Sequence, residues 1–185
     1  GFIASSTSPK TATTLGREGS DFTAAIFANC MDADEVTIWK DVDGLRNADP
    51  KRFPDTKKIE HLSYFEAIEL AFYGASIIHP KTLKPLQNKN IPLKVRSFLN
   101  TKLQPSIIDG TNDFIEYIPS FIVKENQTLM SITTRDYSFM NEHNRALIFN
   151  IMDELNIHAN MTQISALVLS FCFDENEKKR IQLTE

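Results

Sequence analysis

Apolar residues in the first hundred positions switch between two periods. Phe22, Ala25, Ile26 and Cys30 recur at helical spacing behind Ser20 and Asp21, either of which suits an N-cap, so a helix is predicted directly after Gly19. The run 35–40 alternates polar and apolar residues as a strand does, and the turn formers Asp41, Asp43 and Gly44 end it. Ser63 and Glu66 form a capping box for a second helix, which runs to about Tyr73 and stops at Gly74. A short helix near 81–87 and a strand at 91–96 follow. Helices alternating with strands predict an α/β layer on a largely parallel sheet.

A polar stretch at 100–112, rich in turn formers, separates this half from a different pattern, and the domain boundary is placed there, giving 1–114 and 115–185. Strands are predicted at 120–124 and 129–133, then a helix over 145–155 whose Leu147, Ile148, Ile151, Met152 and Leu155 make one apolar stripe. Strands at 157–163 and 167–173 come next, and Asp174 to Glu177 is read as the start of another helix. This βαββ order is that of a ferredoxin-like unit stopping before its last strand.

Composition narrows the function classes. The 185 residues allow one ordinary domain or two small ones. The net charge of −4, from 20 basic and 24 acidic side chains interspersed, excludes a nucleic-acid footprint or a basic membrane face, so any phosphate site must be local. No apolar run approaches the roughly 20 residues that cross a bilayer, and no signal-peptide pattern opens the chain. Cys30 and Cys172 lie far apart without metal-ligand spacing and are expected as buried free thiols, which fits a reducing cytosol. The first residue is Gly1 rather than Met, which suggests a piece of a longer protein.

Two segments carry candidate chemistry. The first, TTLGREGSDFTAA at 13–25, sets two glycines before a helix start, where backbone amides favour an anion. Arg17 adds a two-pronged donor for a carboxylate and Asp21 an acceptor for an ammonium group, a combination suited to an amino acid; a solvated glycine turn is the alternative. The second, WKDVDGLRNADPK at 39–51, alternates acids and bases at a strand end, where open α/β sheets bind ligands. Lys40, Arg46 and Lys51 could meet a polyphosphate and Asp41 a ribose hydroxyl or hydrated metal, against the alternative of a charged surface turn. His79, beside Pro80, is read as structural, and His61, His143 and His158 show no metal spacing.

Taken together, these segments resemble the aspartate kinases of the amino acid kinase family. Gly1-Phe2-Ile3 with TTLGREGSD, then WKDVDGLRNADPK, then LSYFEAIELAFYGASIIHPKT, then NIPLKVRS with Gly110-Thr111 match four family motifs in order and spacing over residues 1 to about 112. The remainder, through Ser131-Ile132-Thr133, Phe149 to Met152, Asn156-Ile157 and Thr162 to Ser165, resembles the first ACT regulatory domain of these enzymes. The resemblance implies the second half of a three-layer α/β kinase domain followed by a partial ferredoxin-like ACT domain. It implies ATP, Mg²⁺ and L-aspartate as ligands and a homodimer through the ACT domains. Phe2, Arg17, Ser20 and Asp21 fall on aspartate-site positions; Lys40, Asp41, Arg46, Lys51 and Ser76 fall on the ATP segment. Glu18 stands where the family has glycine, Ser76 where a nucleotide-contacting lysine is usual, and Lys40 and Arg46 where Thr and Tyr are frequent.

The side chain of aspartate, with a reference pKa of about 3.9, is already an ionised nucleophile at neutral pH, so no general base is required and no residue of this chain is assigned a catalytic role. Catalysis is then positioning and charge neutralisation. By the resemblance, the lysine and the KFGGTS-type phosphate strand lie upstream of Gly1, and the isolated chain is expected to release no ADP from aspartate and ATP, which a coupled assay checks. The effector positions implied are Met140, Asn144 to Leu147, Ala159, Asn160, Gln163, Ser165 and Ala166. Lysine, threonine, another ligand or no feedback at all stay open: Asn160 and Ala166 lack the acids of lysine-sensitive relatives, whereas Gln163 is similar to threonine-responsive ones. A non-catalytic amino-acid-sensing and dimerisation module is the competing reading; a glutamate 5-kinase is disfavoured because its regulatory domain is not of ACT type.

Overall fold

The computed structural model describes residues 5–8, 11–16, 18–75, 78–111 and 118–176. The chain divides into two compact units, Gly1–Val123 and Lys124–Glu185. Among the described residues no helix is long and apolar enough to cross a membrane.

In the first unit, helix α1 (Gly19–Met31) is followed by strand β1 (Val36–Lys40), the short strands β2 (Leu45–Arg46), β3 (Lys58–Ile59) and β4 (His61–Ser63), helices α2 (Tyr64–Tyr73) and α3 (Pro80–Gln87), and strands β5 (Leu93–Ser97) and β6 (Ser106–Asp109). The main sheet has the order β1-β5-β6-β4. β1 and β5 run parallel, with Val36 opposite Leu93 and Lys40 opposite Ser97, and β4 and β6 are also parallel. β5 and β6 are antiparallel, so the sheet is largely parallel, as expected, with one antiparallel pairing. The reversal comes from β6, a strand inside the polar stretch read as a linker; its Ser106 and Ile108 are buried while Ile107 and Asp109 are half-buried.

Each helix rests on local chemistry. Ser63 caps α2: its hydroxyl accepts from the Glu66 amide at 3.2 Å, and the Glu66 carboxylate accepts from the Ser63 amide at 2.9 Å. Gly74, at φ 118°, ends the helix in a left-handed turn that side chains resist. Ser63→Ala is expected to cost about 1 kcal/mol in denaturant unfolding. His79 is structural, as expected: its Nδ1 accepts from the Lys81 amide at 3.1 Å and caps α3. α1 turns Ala25 and Ala28 to the core with Leu83, Leu86, Leu93, Val95 and Ile108. Its other face carries Phe27 and Met31, and Cys30 falls there, exposed rather than buried as expected.

Residues 120–124, expected as a strand, form none. Pro119 has no amide to give a ladder, and its carbonyl accepts from the Asn47 side chain at 3.0 Å. The Phe121 amide donates to the Asn47 carbonyl at 2.7 Å. Asn47 thus staples this segment to the β2–β3 hairpin, where its Oδ1 also accepts from the Lys57 amide at 2.7 Å.

The second unit is a βαββ arrangement: β7 (Gln127–Thr133), α4 (Glu142–Glu154), β8 (Ala159–Ile164) and β9 (Val168–Asp174). The sheet order is β7-β9-β8, antiparallel throughout. Met152 of α4, with Met140 and Ile157, packs on Leu169, Phe171 and Phe173 of the central strand. Of the helix expected from Asp174, the described residues Glu175 and Asn176 are non-helical and the rest lies outside the described residues.

Candidate functional site

The site is assembled where the N-terminal end of α1 meets the C-terminal end of β1. Gly16 at φ 81° and Glu18 at φ 56° turn the chain into the helix, and the Gly19 amide closes the turn on the Gly16 carbonyl at 3.2 Å. Glu18, not Ser20 or Asp21, is therefore the N-cap residue, and it makes no side-chain cap bond. One Glu18 carboxylate oxygen is buried without a hydrogen-bond partner. Released from capping, Asp21 sits in the first turn, where an acid complements the helix dipole, and reaches across to the sheet. Lys40 Nζ, at the end of β1, donates to Asp21 Oδ2 at 2.8 Å. Their side chains are 25 % and 13 % exposed, so the pair is largely shielded from water. Ser20 stands exposed in the same turn, and Asp41 follows Lys40 as an exposed carboxylate. Phe2, Arg17 and Ser76 lie outside the described residues.

The next turn orders the remaining residues expected at the nucleotide differently. The Arg46 guanidinium grips Asp43 through Nε at 3.1 Å and Nη2 at 2.8 Å, and gives Nη1 to the Thr56 carbonyl and hydroxyl. Arg46, first through its hydrogen bond and then through its charge against the opposing effect of partial burial, holds the Asp43 carboxyl below the usual carboxylate range. Arg46 is thus committed locally, while Lys51 is exposed on the turn after Asp49. Behind the hairpin lies a small cavity of about 30 Å³ that sequence reasoning missed. Leu45, Ala71, Ala75, Ile78 and Ile108 line it, with Arg46 its one charged wall residue. These residues come from β2, α2, the loop after α2 and β6, so no local signal announces it.

Nearby, His61 Nε2 and Asp109 Oδ1 are 2.8 Å apart, and the Thr111 hydroxyl donates to the same carboxylate oxygen at 2.6 Å. Partial burial pushes Asp109 up, but the Thr111 and His61 hydrogen bonds more than offset it and leave the carboxyl below its ordinary value. Among the described residues no group of three or more His, Cys, Asp or Glu side chains is placed to hold a metal ion.

In the second unit the predicted effector residues fall at two ends of β8. The Met140 amide donates to the Ala166 carbonyl at 2.8 Å, which ties the start of α4, where Asn144 and half-exposed Leu147 sit, to the turn carrying Ser165. Ser165 closes that turn by donating its amide to the Val168 carbonyl at 2.8 Å. Gln163, opposite Ser170, is exposed near the same end. Ala159 and Asn160 lie at the other end of the strand. Asn160 gives Nδ2 to Gln127 Oε1 at 2.6 Å and Asp174 Oδ1 at 2.9 Å, and accepts from Lys124 Nζ at 2.9 Å.

The hydrogen bond from Lys124, then those from Gln127 and Asn160, depress the Asp174 pKa to about 2. A depressed carboxyl stabilises the fold fully above its unfolded value of about 3.9 and loses that contribution as pH falls through the folded value. The stability difference between the wild type and Asp174→Asn is therefore expected to close between about pH 4 and pH 2, read from amide exchange in β7 and β9. With the side chain 70 % exposed, the effect is small.

Residues 1–97 match the model of the amino acid kinase family. The chain is 32% identical over 182 residues to the chloroplastic aspartokinase 1 of Arabidopsis thaliana, covering 96% of this chain and 31% of that protein. It is 32% identical over 177 residues to the lysine-sensitive aspartokinase 3 of Escherichia coli K12, covering 94% of this chain and 38% of that one. The fold superposes on the crystal structure of E. coli aspartokinase III in complex with aspartate and ADP with a TM-score of 0.80 at 28% identity, over 100% of this chain and 43% of that one. The chain spans about a third of the length of the curated relatives it matches. With four motifs in order, the fold they imply and a family model matching over half its length, the chain belongs to the amino acid kinase family.

Proposed function

We propose that this chain supplies the C-terminal half of the kinase domain, and the first part of a regulatory ACT domain, of an aspartate kinase. The reaction is transfer of the γ-phosphoryl group of ATP to the side-chain carboxylate of L-aspartate, giving 4-phospho-L-aspartate, the first step towards lysine, threonine and methionine. The carrying observation is the Lys40–Asp21 pair, which joins the segment resembling the aspartate clamp to the segment resembling the nucleotide strand. The kinase part runs to about residue 114 in this reading, and 118–123 is connecting chain held on the first unit.

In this arrangement Asp21 receives the substrate's ammonium group and Arg17 its α-carboxylate, so that the side-chain carboxylate points at the nucleotide. Mg²⁺ carried on the phosphates supplies charge neutralisation when bound. Asp41, the exposed acid at the end of β1, is the carboxylate on which such an ion, which keeps most of its waters, would lean. The test is aspartate-dependent ADP release by the full-length protein, with hydroxylamine trapping the acyl phosphate. ADP release that ignores aspartate overturns the reading, and amino-acid binding without turnover favours a sensing module instead.

For regulation, we propose an amino-acid effector at the second unit, with threonine favoured over lysine. Asn160 and Ala166 stand where lysine-sensitive relatives carry acids, whereas Gln163 is similar to threonine-responsive ones. Tight lysine binding to the full-length protein by calorimetry overturns that preference. Leu129, Cys172 and Met161 lie side by side in register on the sheet face opposite Phe171 and Phe173, and this supports a homodimer through the ACT domains. The cytosol is the compartment that free cysteines suit.

A further inference from the structure

Of the three cations in the nucleotide segment, only Lys40 is tied to the other half of the site. Arg46 is gripped by Asp43 and Thr56, and Lys51 is exposed on its own turn. Lys40 Nζ is the one recorded partner of Asp21 among the described residues. On the proposed function, on which this inference rests, Asp21 is the acceptor for the substrate's ammonium group. The acceptor is therefore occupied, before substrate arrives, by an ammonium group of the same charge and the same hydrogen-bonding chemistry.

We infer that Lys40 is a positioning residue that passes between Asp21 and the nucleotide phosphates, coupling the binding of aspartate to that of ATP. Each state of the exchange keeps its charges paired. Without ligands, Lys40 neutralises a carboxylate that is only 13 % exposed. When the substrate's ammonium takes Asp21, one like group replaces another, and Lys40 is released with three donors and a full positive charge at the end of β1. A polyphosphate at that strand end is the partner that the freed charge fits. Run in the other direction, phosphates that draw Lys40 away empty Asp21 for the substrate. Linkage requires the two effects to be equal, so ATP tightens aspartate by the factor by which aspartate tightens ATP.

Lysine is suited to this exchange because its ammonium is a compact point charge on a flexible stem. No proton moves and no bond is made or broken. A lysine with a purely structural role would change stability when replaced, yet leave the dependence of one ligand on the other untouched. Coupling, rather than activity, is thus the diagnostic readout.

The experiment is calorimetric titration of aspartate into the full-length wild type, Lys40→Met and Lys40→Arg proteins, each with and without a saturating non-hydrolysable ATP analogue. In the wild type the analogue is expected to tighten aspartate about 10-fold. In Lys40→Met the factor is expected to fall to about one, with aspartate binding in the absence of nucleotide unchanged or tighter because its competitor is gone. Lys40→Arg keeps both the pairing and the charge and is expected to retain most of the coupling. Equal coupling in all three proteins, or none in the wild type, overturns the inference while leaving the kinase reading intact. Absence of aspartate binding to the wild type under both conditions overturns the kinase reading and this inference with it.

Discussion

An alanine at position 44 is expected to destabilise the first unit by about 2–4 kcal/mol in denaturant unfolding. Gly44 has φ 136°, a conformation that costs any residue with a Cβ on the order of 1–3 kcal/mol. The added methyl group would also lie 2.5 Å from Ser106 Oγ and 2.8 Å from Lys58 Cε. Lys58 can swing its chain end aside, but Ser106 cannot. Its hydroxyl is buried, donates to the Ile59 carbonyl at 2.6 Å and accepts from the Leu45 amide at 2.8 Å, so it holds β2, β3 and β6 together. Displacing it leaves a buried donor and a buried acceptor unpaired, about 1–3 kcal/mol. Ser106→Ala alone is expected to show that second part only, and the double substitution less than the sum, because the methyl group then fills the space of the missing hydroxyl. A Gly44→Ala protein unfolding at the wild-type midpoint would sink this account.

The second large effect is functional. In the full-length protein, Asp21→Asn is expected to raise the KM for aspartate about 10- to 100-fold, the range of a lost charge-assisted hydrogen bond, with the KM for ATP unchanged or lower. The substitution is isosteric, so α1 keeps its packing through Ala25 and Ala28. An amide still accepts a hydrogen bond but no longer balances the charge of an ammonium group, whether of the substrate or of Lys40. Lys40 is then free for the phosphates at all times, which is why ATP use is spared. An equal rise in both KM values would mean that Asp21 acts through the fold and not through the substrate.

What was legible in the sequence were the elements whose instructions are local. The Ser63–Glu66 box, the Gly74 stop and the alternation through β1 and β5 each lie within a few residues of the feature they set. β6 was illegible because its partners, at 61–63 and 93–95, are distant in sequence and its flanks are polar. Residues 120–124 have strand composition, yet the Phe121 amide is claimed by the Asn47 carbonyl and the Pro119 carbonyl by the Asn47 side chain, more than 70 positions away. The cap of α1 was misplaced because Ser20 and Asp21 are good capping residues, and nothing local says that Glu18 adopts the left-handed conformation instead. For the site, residue types and the two segments were readable, but the pairing of Lys40 with Asp21 depends on how α1 lies over the end of β1, and the commitment of Arg46 depends on Thr56 across the hairpin.

The Asn47 staple also fixes when the connecting chain can come loose. The Phe121 ring is exposed, and its amide is held by a bond to the hairpin rather than by packing of its own. Solvent deuterium reaches that amide only when the bond to Asn47 opens, so its exchange rate clocks the release of the connecting chain from the hairpin. A single amide 74 positions from Asn47 would thereby serve as a timer for detachment of the connecting chain, readable without ligand, substrate or turnover.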